Sequence, residues 1–159
     1  MRPIYIAALC ALAVTASAQN KSDESHAHHA PKAAAYVPGL GEIMSLQQMR
    51  HAKLWLAGSQ KNWPLADYEL DELREGFDDV QKLHATHEGI PVGAMAKSLT
   101  TPPVEALAKA IDAKDAAAFT KSFDHLTEAC NSCHRAAKHG FIVIVRPATS
   151  PFPNQKFAP

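Results

Sequence analysis

The sequence predicts an all-α protein, an antiparallel four-helix bundle, on three observations. Four stretches carry apolar residues at helical spacing, Gly and Pro fall at their ends, and one β-branched run near the C-terminus has no second strand to join. The 159 residues are 47% hydrophobic and 20% charged, a globular balance that sets aside a wholly disordered chain or a multi-span membrane protein.

The first element is a leader. Met1-Arg2-Pro3 is a short positive start, Ile4 to Val14 is apolar, and Ala16-Ser17-Ala18 is an A-x-A cleavage site. These are the parts of a secretory signal peptide over residues 1–18, and the run is too short to span a bilayer. Cys10 follows Leu9 in mid-run with no small residue before it, which discounts lipid attachment. The expectation is export to the periplasm without a membrane anchor. Residues 19–38 are polar and Ala-rich, with His26, His28 and His29 but no sustained apolar period. They read as a flexible His-containing tail, solvated rather than framed as a metal site.

Residues 39–140 form the bundle domain. The first helix is expected from Leu40 to Ala57, stopping near Gly58. Leu40, Met44, Gln48, His51 and Trp55 share a face, with Gln47 and Leu54 at its edge and Leu46, Met49 and Leu56 on the far side. The second runs from Pro64 to His87, its stripe being Ala66, Leu70, Leu73, Phe77, Val80 and His84. Gly89, Pro91 and Gly93 then open a long connection. The third is short, Pro102 to Ala113, with Val104, Leu107, Ala108 and Ile111 inward. The fourth runs from Asp115 to Lys138 and stops at Gly140, with Phe119, Phe123, Leu126, Cys130, Cys133 and Ala137 as its stripe. Residues 141–159 begin with Phe141-Ile142-Val143-Ile144-Val145 and end Pro-rich. They are expected to lie extended along the bundle, their apolar side chains covering a surface otherwise wet.

Charge narrows the function. Removing Arg2 with the leader leaves 15 basic against 16 acidic residues, so no net basic charge drives nucleic-acid binding. Three Cys, one of them in the leader, are too few for a disulfide scaffold.

Cys130-Asn131-Ser132-Cys133-His134 is C-x-x-C-H, the attachment signature of c-type haem. Residues i and i+3 lie on one side of a helical turn, so both thiols reach the two vinyl groups of one porphyrin. The adjacent imidazole then comes under the iron. A thioredoxin-like C-x-x-C would open a helix after a strand, and this one sits deep in a helical stripe. A zinc site needs a further Cys/His pair at ligand spacing, and none is evident. The cofactor expected is one covalent haem c (heme c) per chain.

Together, the leader, four helices and Cys130, Cys133 and His134 near the end of the last helix resemble the cytochrome c′ family, the class II c-type cytochromes. The resemblance covers roughly residues 40–140. It implies His134 as proximal iron ligand, with the haem at one end of the bundle. It also implies a homodimer through the first two helices, where Leu46, Met49 and Leu56 form a second apolar strip. The tail beyond Gly140 departs from the family, which normally stops soon after the fourth helix.

The other face of the iron decides function. In an up-down-up-down bundle the first and fourth helices are antiparallel neighbours, so a distal residue belongs in the first turns of the first helix. Met44 satisfies depth and face. His51 satisfies face but lies nearly two turns further on, Met49 fails on face, and Met95 sits in the connection. Low-spin members of the family use a Met early in the first helix, which again favours Met44. Methionine ligation closes the iron and suits electron exchange, whereas an open position would bind a small gas. The leading expectation is therefore a periplasmic mono-haem electron carrier, not an enzyme, serving a redox partner protein. The alternative is a five-coordinate gas-binding or sensing protein. A peroxidase is disfavoured, because no His/Arg pair occupies the distal position. Arg135, Lys138, His139 and Arg146 flank the haem region as candidate propionate partners. Gln47 and Gln48 are candidates for the distal side. Glu69, Asp71, Glu72, Glu75, Asp78 and Asp79 load the second helix with charge that could meet a basic partner.

Overall fold

A computed structural model describes residues 36–159. The leader and the His-bearing segment up to residue 35 lie outside the described residues. Four helices make up the fold: α1 (Leu40–Ser59), α2 (Trp63–Leu83), α3 (Val92–Asp112) and α4 (Ala116–Ala136). Among the described residues there is no strand, only a single bridge between His87 and Ile90. The helices pack as a bundle in chain order, α1 on α2, α2 on α3 and α3 on α4, while α1 and α4 meet over a narrower seam. None of them is long and apolar enough to cross a membrane.

Local chemistry sets the helix ends. Asn62 caps α2 through its side-chain oxygen, which accepts from the Leu65 amide at 3.4 Å, and Pro64 occupies the first turn, where no amide is needed. Asp115 caps α4 by accepting from the Ala117 and Ala118 amides at 2.9 and 3.0 Å. The α2–α3 connection turns on Glu88 and Gly89, both at positive φ, between the paired backbone groups of His87 and Ile90. Two successive positive φ values are the mark of a type I′ turn, which glycine adopts without steric cost.

The main core is aromatic and leucine-rich. Leu54, Leu70, Leu107, Phe119, Phe123 and Leu126 are fully buried. A smaller cluster of Ile43, Val80 and Ala96 lies beside Leu40 and Met44. Gly58 marks the tightest approach in the main core. A Cβ there would fall 2.0 Å from Cζ of Phe119. Phe119 has little room to move, since Trp63, Phe123 and Trp55 lie around it with centroids at 6.0, 6.1 and 6.3 Å. Gly58→Ala should therefore lower stability by about 1–3 kcal/mol through overpacking, despite the helix propensity alanine adds. A urea midpoint equal to that of the wild type would refute the contact.

Four features of the helices differ from the sequence expectation. The buried face of α1 is centred on Ile43, Gln47, His51 and Leu54, with Gln48 exposed and Leu56 buried in the main core. Apolar residues surround much of this helix, so spacing alone fixes its rotation poorly. The second helix ends at Leu83, and His84 turns back to hydrogen-bond the Pro38 carbonyl at 2.9 Å. The third helix begins at Val92, ten residues early, which places Met95 inside it and Pro102 and Pro103 in its middle. Interior proline costs about 3 kcal/mol. The burial of Val92, Ala96, Thr100, Pro103, Val104 and Leu107 at helical spacing outweighs it. Finally, α4 is stopped by Lys138 at φ 62°, not by Gly140. The amides of Lys138 and His139 return to the carbonyls of Arg135 and His134 at 3.1 and 2.7 Å, a Schellman closure.

The chain after α4 runs back along the bundle, but the β-branched run does not bury itself. Phe141, Val143 and Val145 are exposed and Ile144 is half-buried. The anchor is further on, at Phe157, which is 4% exposed and joins the main core beside Phe152.

Candidate functional site

A cleft of about 290 Å³ opens between the start of α1, the end of α4 and residues 142–144. Met44, Cys130, Cys133, His134 and His51 all line it, so the structure brings together the residues the sequence assigns to anchoring and ligation. Leu73, Phe77, Val80, Val92 and Ala96 make the apolar floor. Ligand pockets combine such a lining with a few placed polar groups.

The two thiols are free and lie one helical turn apart on α4. Burial pushes the Cys130 thiol up to about 12, with Cys133 beside it contributing in the same direction, and burial also raises Cys133. Both therefore stay protonated near neutral pH. A dithiol redox motif works the other way, lowering its attacking thiol. Among the described residues no three His, Cys, Asp or Glu side chains gather as a metal site.

His134 projects from the last turn of α4. Its Nδ1 lies 2.9 Å from the Ile142 carbonyl oxygen, which can only accept, so Nδ1 carries the proton and donates. That fixes the tautomer and leaves the Nε2 lone pair as the free donor site. His51 is 3% exposed, its ring 4.4 Å from that of Phe123. The Thr127 hydroxyl donates to the Phe123 carbonyl at 3.0 Å, so His51 Nε2 donates to that same hydroxyl oxygen at 2.8 Å. Burial lowers His51 to about 4. Met44 is half-buried with no polar partner to release.

Several secondary candidates are committed elsewhere. Gln47 donates to the Leu73 carbonyl at 2.8 Å and accepts from Arg50 at 3.2 Å. Arg135 pairs with Glu128 at 2.5 Å, and Arg146 pairs with Asp124 while lying 4.5 Å over the Trp55 ring. His139 remains at the cleft, and so does His87, its ring 6.3 Å away. His87 was hidden in the sequence because helical spacing carries α2 past its true end. On α2 the acidic residues divide. Glu69 is buried with Lys53 at 3.9 Å, Glu72 pairs with Arg50 at 2.7 Å and Asp71 with Arg74 at 2.6 Å, leaving Glu75, Asp78 and Asp79 exposed.

Comparison with protein-family models, curated proteins and solved structures finds no match. The functional reading therefore rests on the cleft and on the motif that lines it.

Proposed function

We propose that the chain is an exported mono-haem c-type cytochrome, a one-electron carrier of cytochrome c′ type. The observation that carries the reading is the convergence of Cys130, Cys133, His134 and Met44 on one apolar cleft. The donor set suits the group. Two protonated, unpaired thiols one turn apart stand beside an imidazole whose Nδ1 is occupied and whose Nε2 is free.

In this reading Cys130 and Cys133 hold the haem through thioethers, and His134 binds the iron through Nε2. Met44, in the first turns of α1, would be the second iron ligand. Bound there, haem would supply Fe(III)/Fe(II) exchange, and methionine ligation would raise its potential. With haem in the cleft, the apolar floor would shield that side of it from water, which would lower the reorganisation that accompanies each electron. His51 is the weaker distal candidate, because reaching iron would strip its Nε2 from Thr127 and its ring from Phe123.

The bundle is read as antiparallel. Moving along α1 from Met44 through His51 to Trp55, the neighbours on α4 run backwards from Cys133 through Thr127 to Phe119. The leader read over residues 1–18 supports export to the periplasm, where a redox partner protein would be met. Leu46 and Met49, 43% and 36% exposed, support a homodimer through α1 and α2.

The reduced absorption spectrum tests the assignment. A sharp low-spin α band unmoved by carbon monoxide is expected, and Met44→Ala should make it high-spin and carbon monoxide-sensitive. A wild-type spectrum already high-spin and shifting with the gas would instead establish a five-coordinate gas-binding protein. A low-spin spectrum unaltered by Met44→Ala would remove Met44 as the ligand.

A further inference from the structure

Two residues inside the C-x-x-C-H motif neither anchor nor ligate: Ser132 bonds Glu128 and Arg135 on its own helix, whereas Asn131 reaches the chain beyond it. The Asn131 side chain makes a two-point pairing with the returning chain. Nδ2 donates to the Ile144 carbonyl at 2.9 Å, and Oδ1 accepts from the Ile144 amide at 2.8 Å. The amide thus does what a neighbouring strand would do, satisfying both backbone groups of one extended residue.

Two residues earlier on that same returning chain, the Ile142 carbonyl receives the His134 Nδ1 proton at 2.9 Å. Ile142 is itself held by its amide, which donates to the His139 carbonyl at 2.9 Å in the turn after the Schellman closure. Two residues after Ile144, Arg146 pairs with Asp124 on α4 through two nitrogens and covers Trp55 on α1. Residues 142–146 are therefore tied down on both sides of Asn131. The apolar side chains of Val143 and Val145 take little part, being 66% and 67% exposed. Backbone position, not side-chain burial, is what the segment is built to keep.

We propose that residues 142–146 are a strap that orients His134, and that Asn131 is the positioning residue that sets the strap in register. The inference rests on the haem reading above and deepens it. An accepting carbonyl on Nδ1 fixes which nitrogen is free and makes the imidazole a stronger donor, as outer-shell partners of ligating histidines do. A stronger donor favours Fe(III), so the strap lowers the midpoint potential from what Met44 and His134 would set alone. Asn131 touches neither thiol nor imidazole in this scheme. It acts through Ile144 and Ile142.

The test compares the full-length wild type with Asn131→Ala and Asn131→Asp. Two readouts are taken, hydrogen exchange of the His134 ring N–H by NMR and the midpoint potential. In Asn131→Ala, with haem still covalently attached, exchange should quicken about tenfold and the potential should rise by up to about 59 mV, a tenfold shift in a one-electron balance. Asn131→Asp keeps the acceptor for the Ile144 amide and loses the donor, so it should fall between. It also carries the test if the alanine variant does not accumulate. Unchanged exchange and potential in a haem-loaded variant would overturn the strap while leaving the haem reading intact. A wild type without haem would overturn that reading instead, and the exchange comparison would still decide whether Asn131 sets the His134 tautomer.

Discussion

A secreted Cys130→Ala, Cys133→Ala double variant should be colourless and carry the bare polypeptide mass, while the wild type should carry the mass of one haem in addition. Both thiols line the cleft, and burial holds Cys130 up to about 12 and raises Cys133, so neither ionises near neutral pH. Such thiols are inert as disulfide exchangers and depend on a partner group brought to them. With both removed, the proposed bond from the His134 nitrogen would be the remaining attachment, and a single imidazole would hold haem only reversibly. The single variants should sit between, each keeping one thioether and losing part of its haem to extraction in acidified organic solvent. Mass spectrometry of the intact chain decides it. A double variant that retains haem through such extraction, or a wild type of bare mass, would sink the attachment.

The sequence carried most of the fold through spacing. Leu70, Leu73, Phe77 and Val80 on α2, and Phe119, Phe123 and Leu126 on α4, are buried as their stripes require, because polar residues on the opposite face leave one choice of rotation. On α1 that contrast is missing. Leu46 and Met49 sit opposite the core and stay exposed, so spacing favoured Met44 and Gln48 over Ile43 and Gln47. The start of α3 was lost for another reason. Pro102-Pro103 reads as a helix start, and only the burial of Val92, Ala96 and Thr100 reveals the helix running through it. The candidate site was legible as a place in the fold because its motif lies in five consecutive residues that come to line one cleft. The partners of those residues were not, since Ile142 and Ile144 act through backbone atoms that no side chain advertises. The division of the acidic set on α2 was equally hidden. Whether Glu69 and Glu72 face Lys53 and Arg50 depends on how α2 rolls against α1, which the charges themselves do not fix.

Acid should destabilise the protein more steeply than an exposed histidine would permit, and His51 should be the main source. Burial alone lowers it from 6.5 to about 4. Between those values the unfolded chain binds a proton that the folded chain refuses, so stability falls as pH falls. The contribution is complete above pH 6.5, is lost progressively toward pH 4, and amounts to about 3 kcal/mol at full extent. Glu69 works against it, because burial raises that carboxyl and makes the folded state the better proton acceptor there. The wild-type curve mixes both effects, and the difference from His51→Gln isolates the histidine. Glutamine does not titrate and can still donate to the Thr127 hydroxyl. Urea unfolding at pH 7 and pH 4.5 should show the variant losing less stability than the wild type, with the gap closing above pH 7. Equal losses would mean that His51 is charged in the folded protein, which its place between Phe123 and Thr127 does not allow without opening the α1–α4 seam. The same measurement bears on the iron. Were His51 the distal ligand, the metal would hold it unprotonated, and displacing it would show as a change of spectrum in step with the loss of stability. With Met44 in that position the spectrum should stay constant through this pH range until the chain unfolds.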